Sequence, residues 1–288
     1  MSTPYDDLIY KIFRFMPFYE KKKLLQILRK CKCMEENLEE MTTIVTDYVI
    51  KHNIKPDENR QDFIIGKINT YLVTHFNHLV QDNCKIVDIG GGNGNVLSGL
   101  RNHIGIRNKT KKEDFVCVET ETDWGESYPF NNENLTYMVL TGDDEINISV
   151  EPNSVDVILC MCSLHHMRND TIFEMFTNMK RILKPDGKIL IKEHDVTGAL
   201  TYIMWEHYLY HLLDCAYNGN KMNVKEHYDN FIYNFKSKEH WTELFELSGF
   251  RLNNVHNRFL DGDYIKDDKN VTQLYWAVYE HTLNLRNV

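Results

Sequence analysis

Lys85-Ile86-Val87-Asp88-Ile89-Gly90-Gly91-Gly92-Asn93-Gly94-Asn95 joins a short apolar run, an acidic residue and a turn with glycine at positions 90, 92 and 94. An uninterrupted apolar run of this length reads as a strand buried on both faces. Glycines in alternation after it let the backbone take positive φ and bring main-chain N–H groups close to a ligand at the start of the next helix. A nucleotide-like ligand is the natural candidate. The spacing does not fit the dinucleotide fingerprint, whose third small residue would fall at Asn95, or at Leu97 if counted from Gly92.

Further apolar runs lie at 115–118, 155–162 and 189–191, near-continuous rather than alternating. Glu119 follows Asp88 by 31 residues and Asp143 follows Glu119 by 24, the spacing of successive β-α-β units of about 30 residues. Such units build a parallel sheet with helices on both faces. Ligands of these sheets gather at the carboxyl ends of the strands, where Asp88, Glu119, Asp143 and His165 are expected to converge.

Taken in order, these segments resemble the class I S-adenosylmethionine-dependent methyltransferases, type 11-like, over roughly residues 65 to 285. Asp88, Gly90, Gly92 and Gly94 match the first motif. Phe115-Val116-Cys117-Val118-Glu119 resembles the second strand, and the likeness implies that Glu119 binds the ribose hydroxyls. Leu135 to Leu140 with Thr141-Gly142-Asp143-Asp144 resembles strand three and the loop that contacts the adenine, through Asp143 or, as alternate, Asp144. Ser154 to His166 matches strand four and its Leu-His-His ending, placing Cys160 beside the cofactor. Arg181 to Glu193 matches the turn into strand five, with Asp186 where the family usually has glycine. The fold implied is α/β, a Rossmann-like seven-stranded methyltransferase sheet with an N-terminal helical region and a helical insert after strand five. The cofactor implied is S-adenosyl-L-methionine.

The expected division is residues 1–80 as the helical region, 81–195 with 237–288 as the cofactor-binding core, and 196–236 as an aromatic-rich insert forming the acceptor pocket. Helical spacing links Leu8, Ile12, Phe15 and Met16, then Leu24, Leu25, Ile27 and Leu28, then Ile64, Ile65, Ile68, Tyr71 and Leu72, with breaks near Pro17 and at 53–57. Ser237 reads as the N-cap of a helix carrying Trp241, Leu244, Phe245 and Leu247 and stopped by Gly249, after which Phe250–Leu252 and Thr272–Tyr279 read as antiparallel strands. The insert holds Tyr202, Trp205, Tyr208, Tyr210, Tyr217, Tyr228, Phe231 and Tyr233. His207 and His211 stand at i, i+4 within it but lack a third ligand at fixed spacing, so no metal is expected.

Methyl transfer from a sulfonium needs positioning and desolvation, and an N or O acceptor can also need to lose a proton. His165, His166 and Glu193 are the candidates for that step, since all lie at strand ends on the correct edge. The sequence lacks the Asn/Asp-Pro-Pro-Tyr motif of many amino-group methylases.

With 288 residues, 42% hydrophobic and 12% aromatic, the chain can bury a sizeable core. The net charge of −9 disfavours long nucleic acid, although clusters at Lys21-Lys22-Lys23 and Arg107 to Lys112 leave room for a short RNA end. No apolar run reaches the roughly 20 residues that cross a bilayer. Seven cysteines without a Cys-x-x-Cys pair suit a reduced, cytoplasmic setting. The expected activity is methyl transfer to an N or O of a small molecule or short accessible moiety, with homodimerisation through the N-terminal helices as an option. The alternatives are an RNA (cap or tRNA) or protein methyltransferase, of a virus for example, or a non-catalytic scaffold subunit; the Asn-, Ile-, Lys- and Tyr-rich composition is that of an AT-rich genome and fits some viruses or protists.

Overall fold

The computed structural model describes residues 17–28, 38–53, 60–80, 84–105, 111–120, 135–140, 146–196, 207, 232–253, 259–260 and 272–282. Leu8, Ile12, Phe15 and Met16, the Asp143–Asp144 pair, His211 and every aromatic of the insert except Tyr233 and Phe235 lie outside these residues. The chain divides into two compact units, Met1–Asp62 with Ala199–Phe231, and Phe63–Gly198 with Ile232–Val288.

In the smaller unit, α1 (Phe18–Leu28) starts directly after Pro17, and α2 (Leu38–Lys51) gives way at Asn53, which takes a positive φ of 49°. Their apolar positions recur at helical spacing, and Leu24, Leu25, Val45, Tyr48 and Val49 are buried. The Tyr48 hydroxyl donates to the Glu20 carboxylate.

The larger unit is built on one mixed sheet. Its strands are β1 (Ile86–Ile89), β2 (Phe115–Thr120), β3 (Thr136–Leu140), β4 (Val155–Met161), β5 (Leu183–Val196), β6 (Phe250–Leu252), β7 (Phe259–Leu260) and β8 (Thr272–His281). Their order is β3-β2-β1-β4-β5-β8-β6, with the two-residue β7 also on β8. The first five run parallel, and β8 pairs antiparallel to β5 and β6, as the sequence pattern predicts. Order reverses between β1 and β4, so a crevice opens at their carboxyl ends.

Alternation along each strand sorts the core into two layers. Val87, Ile89, Val118, Ile158, Cys160, Ile189 and Ile191 pack with α5 (Ile172–Ile182) and α6 (Lys238–Leu247). Ile86, Phe115, Cys117, Leu159, Leu190 and Trp276 pack on the other face with α3 (Arg60–His75) and α4 (Asn95–Gly105). Ile68, Leu72, Phe76 and Val80 belong to that second layer, which is why the larger unit begins at residue 63 rather than at the expected boundary of 80. Ser237 caps α6 by accepting from the His240 amide at 3.2 Å, and Gly249 follows the helix at φ 87°.

Candidate active site

The glycine turn is set by what surrounds each residue. Gly90, Gly92 and Gly94 take φ of 68°, 55° and 72°. At Gly90 a Cβ would lie 2.4 Å from the Cβ of Ser163, so the turn can pass β4 only without a side chain. At Gly92 a Cβ would meet nothing within 4 Å among the described residues. The middle glycine therefore faces open space, and it keeps that space clear for a ligand against the backbone. Gly90 N–H donates to Val118 O at 2.8 Å and Ser98 N–H to Gly94 O at 2.8 Å, which carries the turn straight into α4.

Two carboxylates sit beneath this turn. Glu119, at the end of β2, accepts from the Gly92 amide at 2.7 Å and so holds the loop in place. Asp88 is 1% exposed, and neither of its carboxylate oxygens has a hydrogen-bond partner. Burial, reinforced by the charge of Glu119, pushes its carboxyl up to about 8. A buried acceptor without a donor costs stability unless something supplies one. A ligand bearing O–H or N–H groups, or positive charge, supplies it.

The end of β4 forms the opposite wall. Cys162 takes a positive φ of 59°, and Ser163 leads a single 3-10 turn, Leu164–His166. Ser163 Oγ donates to Ile89 O at 2.8 Å, so this residue joins the β4 turn to the glycine turn. His165 and Glu193 are brought together, with Nδ1 to Oε1 at 2.6 Å and exposures of 1% and 0%. The same Oε1 accepts from the His194 amide at 2.8 Å. Once Glu193 is ionised its oxygens can only accept, so the imidazole then donates through Nδ1–H and keeps its lone pair on Nε2. Burial raises the Glu193 carboxyl to about 8, against the pull of the main-chain N–H groups of His194, His165 and Leu164. His166 is half-buried beside them, its ring 4.2 Å from that of His165.

Cys160 is fully buried near the end of β4, in the layer beneath α5 and α6. Its thiol interacts with the Ser163 side chain, and burial, with the charges of Asp88 and Glu193, pushes it well above the ordinary thiol range.

Three contributors are absent from the sequence reading. Ser163 is one. Tyr137 is another, its hydroxyl donating to Asn93 O at 2.8 Å; its place two residues before Val139 on β3 put it on the sheet face below the loop. The third is the segment Asn234-Phe235, where the Asn234 amide donates to His165 O at 2.6 Å and the Phe235 ring stacks on the His165 imidazole, centroids 4.6 Å apart and planes at 17°. Only the nearness of that segment to the Ser237 cap hinted at its location.

A family model described as a methyltransferase domain matches residues 56–255. Among solved structures, the PH0226 protein of Pyrococcus horikoshii OT3 is similar at 15% identity and a TM-score of 0.51, the match covering 80% of this chain and 98% of that one. A SAM dependent methyltransferase from Aquifex aeolicus matches at 15% identity, 74% and 97% coverage and a TM-score of 0.43. The 1,6-didemethyltoxoflavin-N1-methyltransferase of Burkholderia thailandensis, solved with 1,6-didemethyltoxoflavin and S-adenosylhomocysteine, matches at 14% identity, 86% and 90% coverage and a TM-score of 0.47. At these identities the likeness is one of fold. No curated protein matches the chain.

Proposed function

The chain belongs to the methyltransferase domain family, and on that premise we propose that it transfers the methyl group of S-adenosylmethionine to a nitrogen or oxygen of a small molecule or short accessible moiety. The observation that carries this reading is the pairing of two facts at one turn: open space at Gly92 and a buried, unpartnered carboxylate at Asp88. A cofactor with an amino-acid moiety and ribose hydroxyls brings the donors that Asp88 lacks, and the Gly92 gap gives it room. By family resemblance Glu119 serves the ribose hydroxyls, and Asp143 or Asp144 the adenine.

S-adenosylmethionine, when bound, supplies a methyl group on a good leaving group. The chain's own work is to hold the acceptor in line, exclude water and take up a proton where the acceptor carries one. His165 is the proposed proton acceptor, through Nε2, with Glu193 stabilising the imidazolium that forms; His166 is the alternative. The acidic sequence supports a compact acceptor over a long nucleic acid. Cys84, Cys117, Cys160 and Cys162 carry thiols rather than disulfides, which accords with a reduced, cytoplasmic setting. No helix among the described residues is long and apolar enough to cross a membrane.

The test is a transfer assay with methyl-labelled S-adenosylmethionine against amines, phenols and carboxylic acids, beside capped RNA, transfer RNA and protein. Label on a small molecule supports the proposed acceptor class. Label confined to RNA or protein would overturn it.

A further inference from the structure

We infer that Phe235, with the Asn234 main chain, is a positioning residue that fixes the His165 imidazole for proton transfer. This rests on the reading of His165 as the proton acceptor. Three separate holds act on this one residue. Glu193 grips the ring edge at Nδ1, Phe235 covers a ring face at 4.6 Å and 17°, and the Asn234 amide binds the backbone oxygen at 2.6 Å. An imidazole held at edge, face and backbone cannot swing, so the direction of Nε2 is set before an acceptor arrives.

The segment that supplies two of these holds is itself pinned. Lys236 O accepts from the Val196 amide at 3.2 Å, Lys236 Nζ donates to Asn169 Oδ1 at 3.0 Å, and Asn234 Nδ2 donates to Met167 O at 3.3 Å. On its far side Asp195 Oδ1 accepts from the Lys238 amide at 2.9 Å. Residues 234–238 are thus tied both to the end of β5 and to the stretch after the His165 turn. A loop that served only to connect would have no need of ties to both strand ends that carry the acid–base pair.

The flat ring matters more than apolar cover alone. Leucine at 235 would still exclude water but could not oppose a planar imidazole over its whole face, leaving the ring free to rotate about χ2 and to exchange tautomers. Tyrosine keeps the plane.

The experiment is long-range ¹H–¹⁵N imidazole spectroscopy on the full chain at pH 9, with the His165 signals identified by their loss in His165→Gln. Wild type and Phe235→Tyr are expected to show His165 fixed with Nδ1–H and a bare Nε2. Phe235→Leu is expected to show averaged tautomers, and a methyl-transfer rate at least about tenfold lower on any acceptor found by the labelled screen, with KM for S-adenosylmethionine unchanged. A wild-type spectrum with averaged nitrogens, or a Phe235→Leu spectrum like wild type, would overturn the inference. Should His165→Gln transfer methyl at the wild-type rate, the proton-acceptor reading fails instead, and the spectra still decide whether Phe235 fixes the ring.

Discussion

At the carboxyl ends of β1 and β2 the chain makes a seat from backbone and leaves a buried carboxylate unanswered, whereas at the ends of β4 and β5 side chains answer one another. Asp88 has no partner, Gly92 borders open space among the described residues, and Glu119 and Tyr137 hold that loop from below. Across the crevice Glu193, Phe235 and Asn234 all hold His165, although Glu193 Oε2, like the Asp88 oxygens, is buried without a hydrogen-bond partner among the described residues. The first region is unfinished in the way a ligand site is, since its polar deficit is stable only when something binds. The second is finished in the way a pre-set reactive group is. Ser163 links them, through its hydroxyl on Ile89 O and its Cβ against Gly90.

The comparison is broken most forcefully at the finished side. His165→Ala is expected to lower the transfer rate by about 10²- to 10⁴-fold while leaving S-adenosylmethionine affinity nearly intact, as steady-state kinetics and calorimetry would show. In wild type the rate should rise with pH through about 8, because the Glu193 carboxylate that accepts Nδ1–H forms over that range, and Glu193→Gln should flatten the rise. A His165 variant that also loses the cofactor would mean that the two regions are one.

Gly90→Ala sharpens the contrast between two glycines of the same turn. The new Cβ would press on Ser163 at 2.4 Å, and a positive φ of 68° adds strain, so about 2–4 kcal/mol of stability should be lost in denaturant titration. Gly92→Ala, with open space around it, should cost only about 1–2 kcal/mol from the backbone strain.

Asp88→Asn should act on stability and binding with opposite signs. The folded chain holds the Asp88 proton up to about 8, while an ordinary Asp carboxyl releases it near 3.8. Between those values the unfolded state binds fewer protons, so this group's contribution to stability falls as pH rises. The variant should remove that fall and melt higher than wild type at pH 8. It should also bind S-adenosylmethionine about ten- to a hundredfold more weakly, having lost a charged acceptor. Tyr137→Phe is the mildest change: removing the hydrogen bond to Asn93 O should cost about 1 kcal/mol and weaken cofactor binding about fivefold.

The two regions also differ in how legible they were. The glycine turn, Asp88 and Glu119 could be read because their logic is local: a buried run, a carboxylate at its end and residues without Cβ atoms dictate a turn whatever lies elsewhere. The parallel run of strands followed from spacing and the antiparallel closing strands were read as well, whereas the order of strands in the sheet was not read from the sequence. His165 and Glu193 were identifiable as strand-end residues, but their 2.6 Å contact depends on the register between β4 and β5. Asn234 and Phe235 lie far along the chain from His165, at the end of the segment read as the acceptor pocket, and nothing in their neighbours singles out His165 as their partner.

The central claim is that the turn at Gly92, above the unpartnered Asp88, seats the cofactor. Calorimetric titration of S-adenosylmethionine into wild type and Gly92→Arg, with NAD as control, tests it most directly. Wild type should bind S-adenosylmethionine with release of protons at pH 7, as Asp88 gives up its proton to accept ligand donors, and NAD should not compete. Gly92→Arg should stay folded and bind none. Equal binding by the variant, or binding of NAD in place of S-adenosylmethionine, would contradict the account.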